Sequence, residues 1–237
     1  MRKMNIKKVT PMNHKTFLLF FVFLYFATVA LALSSQGEKD SKATNNLCSF
    51  VIDKLQERYD STTDISAYFD QETRIPGDPE PIKASGRVFF KRPYLMRWDY
   101  ERPEKQLIVT SGSNVYVYEK EAGQVSILSR KQFLSTRISR AFFFGKGDIR
   151  RDFKVIGCML TKEGWVLKLE PKEPIPQLKR LKLTLDKNDF LVKKTEIEDQ
   201  MGSTTLIVFK EIKVNQNIPR KLFHFIPPKD VEIFTAG

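Results

Sequence analysis

After Thr63 the chain alternates apolar and polar positions with a period of two. Short segments rich in aromatic and β-branched residues recur at 65–75, 83–92, 95–100, 106–111, 114–118 and 124–128, the pattern of half-buried strands. Turn formers divide them: Pro76-Gly77-Asp78-Pro79, Arg92-Pro93, Arg102-Pro103, Ser111-Gly112-Ser113 and Glu121-Ala122-Gly123. Met96, Trp98 and Tyr100 alternate with Leu95, Arg97 and Asp99. Tyr116 and Tyr118 alternate with Val115 and Val117, which predicts a strand covered on both faces. Strands resume at 153–159, 165–170, 180–186, 190–199 and 204–213, with a short one near 221–226. Only Leu47 to Tyr59 carries a clear helical period. There Leu47, Phe50, Val51, Leu55 and Tyr59 share a face, and Asn45 or Asn46 can cap it.

Strands this close in sequence, joined by tight turns, pair antiparallel. About eleven of them exceed a flat open sheet, so the sheet is expected to curl into a barrel or half-barrel. The absence of helical pattern between the later strands argues against a parallel α/β fold. Residues 129–152 break the strand pattern. Lys131 to Phe144 reads as one or two short helices, ended by Gly145-Lys146-Gly147.

The N-terminus reads as an address. Arg2, Lys3, Lys7, Lys8 and Lys15 precede the apolar run from Phe17 to Leu33, and Ala30-Leu31-Ala32 is a small-residue cleavage pattern. This is a secretory signal peptide over residues 1–32, followed by a polar, mobile 33–46 and a single domain over 47–237. The rival reading is an uncleaved signal anchor, because the apolar run nearly spans a bilayer. Translation from Met4 or Met12 fits equally well.

Charge and composition then narrow the function. The 237 residues carry a formal +12, and cleavage after Ala32 would leave 35 basic against 28 acidic residues. Export makes nucleic acid an unsuitable partner, and anionic lipid or an acidic protein surface fits better. Histidine is limited to His14 and His224, which leaves no imidazole set for a metal and argues against a Ser-His-Asp hydrolase. No P-loop, dinucleotide glycine pattern or HExxH occurs. Neither an enzyme nor a cofactor is expected. Cys48 and Cys158 form a possible disulfide in an oxidising compartment, with two buried thiols as the alternative.

One block carries more information than its periodicity. Ser85 to Ile127 contains Gly86, then Lys91-Arg92-Pro93, then Trp98, Tyr100 and Pro103, then Gly112 before Tyr116 and Tyr118. The order resembles the periplasmic outer-membrane lipoprotein carrier family, LolA. Ser66 to Gln71 is similar to that family's first strand with its Phe-x-Gln, here Phe69 and Gln71. Phe142 to Phe153 and the stretch from Phe223 to Ile233 are similar to later segments. Tyr116 departs from the family, where many members have tryptophan.

The resemblance implies an incomplete antiparallel β-barrel with a helical lid, and between them an apolar cavity for the acyl chains of lipoproteins. It implies a periplasmic, monomeric carrier. Such a carrier loads from an inner-membrane ATP-driven lipoprotein-releasing complex and unloads to an outer-membrane lipoprotein receptor. Val88, Phe90, Met96, Trp98, Tyr116, Phe133, Ile138, Phe142 and Phe143 are the expected cavity residues, with ordinary core packing as the alternative for each. Arg92 is expected to reach lid backbone groups and hold the empty state closed. Its guanidinium suits that task, with five donors in a rigid fork. Arg137, Arg140, Arg150 and Arg151 form a basic rim for docking partners, or else a solvated face. Acyl burial contributes about 0.8 kcal/mol per CH₂, so a lid that costs free energy to open is what makes release feasible. The alternative on the same fold is a lipid- or protein-sensing regulator of envelope stress.

Overall fold

A computed structural model of the chain describes residues 46–131, 149–174 and 177–235. The strands and the cavity belong to the unit Leu47–Gly237. The expected short helices over 131–144, with Phe133, Arg137, Ile138, Arg140, Phe142 and Phe143, lie outside the described residues apart from Lys131. No helix among the described residues is long and apolar enough to cross a membrane.

Twelve strands form one sheet. In chain order they are β1 (Asp64–Arg74), β2 (Ile82–Lys91), β3 (Leu95–Arg102), β4 (Gln106–Ser111), β5 (Asn114–Glu119) and β6 (Gln124–Ser129). There follow β7 (Phe153–Leu160), β8 (Trp165–Pro171), β9 (Arg180–Leu185), β10 (Val192–Glu198), β11 (Thr204–Val214) and β12 (Glu232–Thr235). The order across the sheet is β12-β6-β5-β4-β3-β2-β1-β11-β10-β9-β8-β7. β7 and β12 are therefore edges, and the sheet is curved but unclosed. Every pairing is antiparallel except β12 with β6, which is parallel. The expected strand near 221–226 is absent: Arg220–Phe223 is a 3-10 turn. β12 was not legible, because Glu-Ile-Phe-Thr is four exposed residues long with no alternation to read.

One helix, α1, covers residues 47–61 of this unit, and a second, α2, is the single turn Ile149–Asp152. α1 buries Cys48, Val51, Ile52 and Leu55. That stripe is rotated from the expected one, since Leu47 and Phe50 are exposed. Val51, Ile52 and Leu55 pack on Phe153, Leu167, Leu169, Leu181, Leu183 and Leu185 from β7, β8 and β9. A second inner cluster gathers Ala67, Phe69, Val88, Met96, Trp98, Val115 and Ile207 from β1, β2, β3, β5 and β11. Phe69 stands edge-on to Trp98 and Tyr100 at 4.8 and 5.0 Å between centroids, a favoured aromatic geometry.

Bulges set which residues look inward. On β7 the register shifts between Val155 and Gly157, so Val155 pairs with Leu169 while Cys158 pairs with Leu167. The extra residue flips the alternation and brings Cys158 to the same face as Phe153 and Val155. On β11 a shift opposite Ser66/Tyr68, with Glu211 at φ 50°, lets Phe209 and Ile212 both face the interior. On β2 and β3 the register shifts at Ser85/Gly86, and the backbones close up there. A Cβ on Gly86 would lie 1.9 Å from the Asp99 carbonyl oxygen. Gly86→Ala must therefore push two central strands apart. The expected loss is about 2–4 kcal/mol, read as a fall in the urea midpoint. An unchanged midpoint would show that the two strands can separate there without cost.

The outer face of β2 to β5 is covered too. The C-terminal segment lays Ile218, Leu222, Phe223 and Phe225 on Phe89, Leu95, Leu107, Val109 and Tyr116. Arg97 Nη1 donates to the Leu222 carbonyl at 3.0 Å, and Phe225 N–H donates to Ser111 Oγ at 3.2 Å. This explains why β5 is apolar on both faces.

Candidate functional site

An apolar cavity opens where the C-terminal end of α1 meets the middle of the sheet. It offers about 120 Å³ of space to water-sized atoms and is open to solvent. Val88, Phe90, Trp98, Ile207, Phe209 and Ile212 form much of the wall. Most of the polar groups lie toward α1 and its connection to β1: Arg58, Tyr59, Thr62, Thr63, Asp64, Lys91 and Arg92, with Thr195 on β10 apart from them. Burial pushes the Tyr59 phenol up to about 12, so it stays neutral and can donate. Burial likewise raises Tyr100, whose hydroxyl donates to Gln71 Oε1 at 3.1 Å.

Local sequence builds the closure. The last turn of a helix leaves carbonyls without partners. Here the Thr62 and Ser61 hydroxyls donate to the Arg58 carbonyl at 2.7 and 3.0 Å, and Thr62 N–H donates to the Tyr59 carbonyl at 3.2 Å. The β1–β2 register sets Asp64 opposite Lys91, and Arg92 N–H donates to the Thr63 carbonyl at 2.9 Å. Arg92 thus lies beside the end of α1. Its Nη2 donates to the Tyr59 carbonyl and stands 3.8 Å from Asp60 Oδ1. A cation at a helix C-terminus is also favoured by the helix dipole. The Arg92-Pro93 peptide is cis.

The expected residues divide by position. Val88, Phe90 and Trp98 line the cavity. Met96 is buried in the same inner cluster but away from the cavity wall. Tyr116 does not line it: register places its ring on the outer face, 5.4 Å from Phe225. Arg150 and Arg151 are engaged locally. Arg150 pairs with Asp53 Oδ1 at 2.6 Å and donates to the Ser49 carbonyl at 3.1 Å. Arg151 pairs with Asp152 at 2.9 Å. Arg150 thus ties α2 to α1, while the Arg151 pair lies within α2, and both side chains remain about half exposed. Cys48 and Cys158 are joined in a disulfide, with Cα atoms 5.4 Å apart.

Sequence reasoning missed the β9–β11 share of the wall, notably Leu181, Phe190, Ile197 and Ile212. Strand alternation was visible, but which side faces the cavity is set by pairing across the sheet, and for Ile212 by the β11 bulge. Phe190 adopts φ 58° in the turn before β10 and stacks on Trp165 at 6.4 Å. Among the described residues no group of acidic, His or Cys side chains is arranged to hold a metal.

Comparison with known proteins agrees with this geometry. The family model described as outer membrane lipoprotein carrier protein LolA matches residues 60–226. The chain belongs to the LolA family. An outer-membrane lipoprotein carrier protein of Chromohalobacter salexigens is 28% identical over 89% of this chain and 94% of its own length. Another, from Ralstonia nicotianae, is 33% identical over 63% of this chain and 68% of its own. A solved structure of an uncharacterized conserved protein from Thermus thermophilus aligns with a TM-score of 0.50 at 16% identity, over 79% of this chain and 98% of that one. This last likeness concerns the fold alone. The LolA relatives are named as carriers, a role that needs no bond-making chemistry, and their name implies the periplasm.

Proposed function

We propose that this LolA-family chain carries lipoproteins across the periplasm by taking their acyl chains into the cavity beneath α1. The observation that carries the reading is the apolar cavity closed by Arg92 on the Tyr59 carbonyl. Hydrocarbon on a diffusing protein must be hidden from water, and each buried CH₂ contributes about 0.8 kcal/mol. Binding that strong has to be opposed for cargo to leave. A closure with its own bonds opposes it, because cargo must break them to enter and regains them on leaving. Export by the N-terminal segment, loading from an inner-membrane ATP-driven releasing complex and delivery to an outer-membrane receptor complete the cycle.

The test is release. Inner-membrane vesicles with an active releasing complex and a labelled triacylated lipoprotein are incubated with the purified protein. A soluble one-to-one complex that does not form with unacylated cargo supports the reading. Failure to solubilise acylated cargo rejects it.

A further inference from the structure

The end of α1 is held from both sides of β1. Only Thr62 and Thr63 separate the last helical residue, Ser61, from Asp64 at the start of β1. On the β2 side, Arg92 donates to the Tyr59 and Thr63 carbonyls. On the other side lies β11, and the residue that follows it is Asn215. Asn215 Nδ2 donates to the Ser61 carbonyl at 3.3 Å, one of the acceptors that a helix end leaves open. Its Oδ1 accepts from Thr63 N–H at 2.7 Å and lies 3.1 Å from the Thr63 hydroxyl. One side chain thus bridges the end of the helix and the residue before the sheet.

The backbone fixes where that side chain stands. Asn215 adopts φ 58°, a left-handed conformation that asparagine tolerates better than most residues. Its own N–H donates to the Asp64 carbonyl at 2.9 Å, and Gln216 N–H donates to Asp64 Oδ1 at 2.7 Å. Asp64 is itself buried, with Lys91 Nζ 3.5 Å away. These bonds hold the end of the sheet together, whereas the Asn215 amide bonds only to Ser61 and Thr63. With two residues of slack between helix and strand, a rise of the Tyr59 end of α1 pulls Ser61 and Thr63 off that amide.

We propose that Asn215 is a second clasp on the closure, a positioning residue that sets, together with Arg92, how readily α1 opens. It stands outside the cavity wall and acts through α1. Its effect on cargo rests on the carrier reading.

Asn215→Gly keeps the left-handed backbone and removes the amide. Asn217→Gly is the matched control, because Asn217 has φ 55° while the bonds to Ser61 and Thr63 come from Asn215. The readout is hydrogen exchange at two amides that Asn215 does not touch. They are Thr62 N–H, which donates to the Tyr59 carbonyl, and Arg92 N–H, which donates to the Thr63 carbonyl. Asn215→Gly is expected to speed both about fivefold, with exchange in β2 and β3 unchanged. Asn217→Gly is expected to leave all of them unchanged. Combined with Arg92→Leu, the gains at Thr62 should multiply, since one opening breaks both clasps. Transfer of cargo to acceptor membranes should slow about fivefold. A Thr62 rate unmoved by Asn215→Gly, or moved equally by Asn217→Gly, overturns the clasp. A double variant no faster than Arg92→Leu alone overturns the shared closure. Faster exchange with unchanged transfer overturns the effect on cargo. If exchange responds as expected but the wild type solubilises no acylated cargo, the clasp stands and the carrier reading falls.

Discussion

Arg92→Leu is expected to leave a folded protein that loads cargo and fails to give it up. The reason is where the Arg92 bonds are made. Its guanidinium donates to the Tyr59 carbonyl and faces Asp60, and both acceptors are on α1. Neither bond is needed to form the sheet. The backbone of Arg92 keeps its own bond to Thr63, and Thr62 N–H still serves the Tyr59 carbonyl. A charge-assisted hydrogen bond contributes about 1.5–3 kcal/mol, less here because the side chain is about a third exposed. A closed state weakened by about 1.5 kcal/mol is roughly tenfold less populated against the open one. Cargo then meets less competition from closure, so its affinity rises and its transfer slows by a similar factor. Two measurements check this: the yield of soluble complex, expected to be unchanged or higher, and the rate of transfer to acceptor membranes, expected to fall about tenfold. Normal transfer, or a melting temperature too low for the protein to be folded, would rule out the pinning role.

Loss of the Cys48–Cys158 disulfide is expected to carry the largest stability effect. The bridge closes a loop of 110 residues in sequence and so restricts the unfolded chain strongly. By the loop-entropy account the contribution is about 3–5 kcal/mol. For a unit of this size that corresponds to roughly 6–20 °C in melting temperature. The Cys48→Ser/Cys158→Ser double variant, and the wild type under reductant, should fall together. A fall of less than about 2 °C would show that the bridge adds little to the packing already there. The same bridge affects function. α1 is fixed at its start covalently, by the disulfide, and by Arg150 to Asp53. Its end is held by the Arg92 contacts and the longer Arg58–Asp189 pair, all of them reversible. Opening is therefore expected at the Tyr59 end. Cross-linking Cys48 to Cys158 should be compatible with cargo uptake.

How much could be read before any coordinates follows from the range of each cause. Strand limits for β1 to β11 come within a few residues of the periodicity, because alternation is a local property of a pleated chain with one buried face. α1 was legible for the same reason, although its buried stripe was not. Arg92 was singled out by the order of its neighbours, and the register of β1 on β2 sets it beside α1. Arg58 carried no signal. A lone arginine late in a helix looks like any solvated cation until the turn holding Asp189 is folded beneath it.

Composition and periodicity by themselves determined a mainly β chain, a curled antiparallel sheet, one amphipathic helix and the lack of catalytic imidazoles. Tertiary structure decided which side of each strand is inside. Single-residue bulges at Ile156 and Glu211 turn Cys158 and Ile212 inward, whereas the register of β5 places Tyr116 on the outer face, where the C-terminal segment covers it. A period of two tells the faces of a strand apart but not which one meets the core. That choice depends on pairing between residues far apart in sequence, where one inserted residue reverses every side chain beyond it.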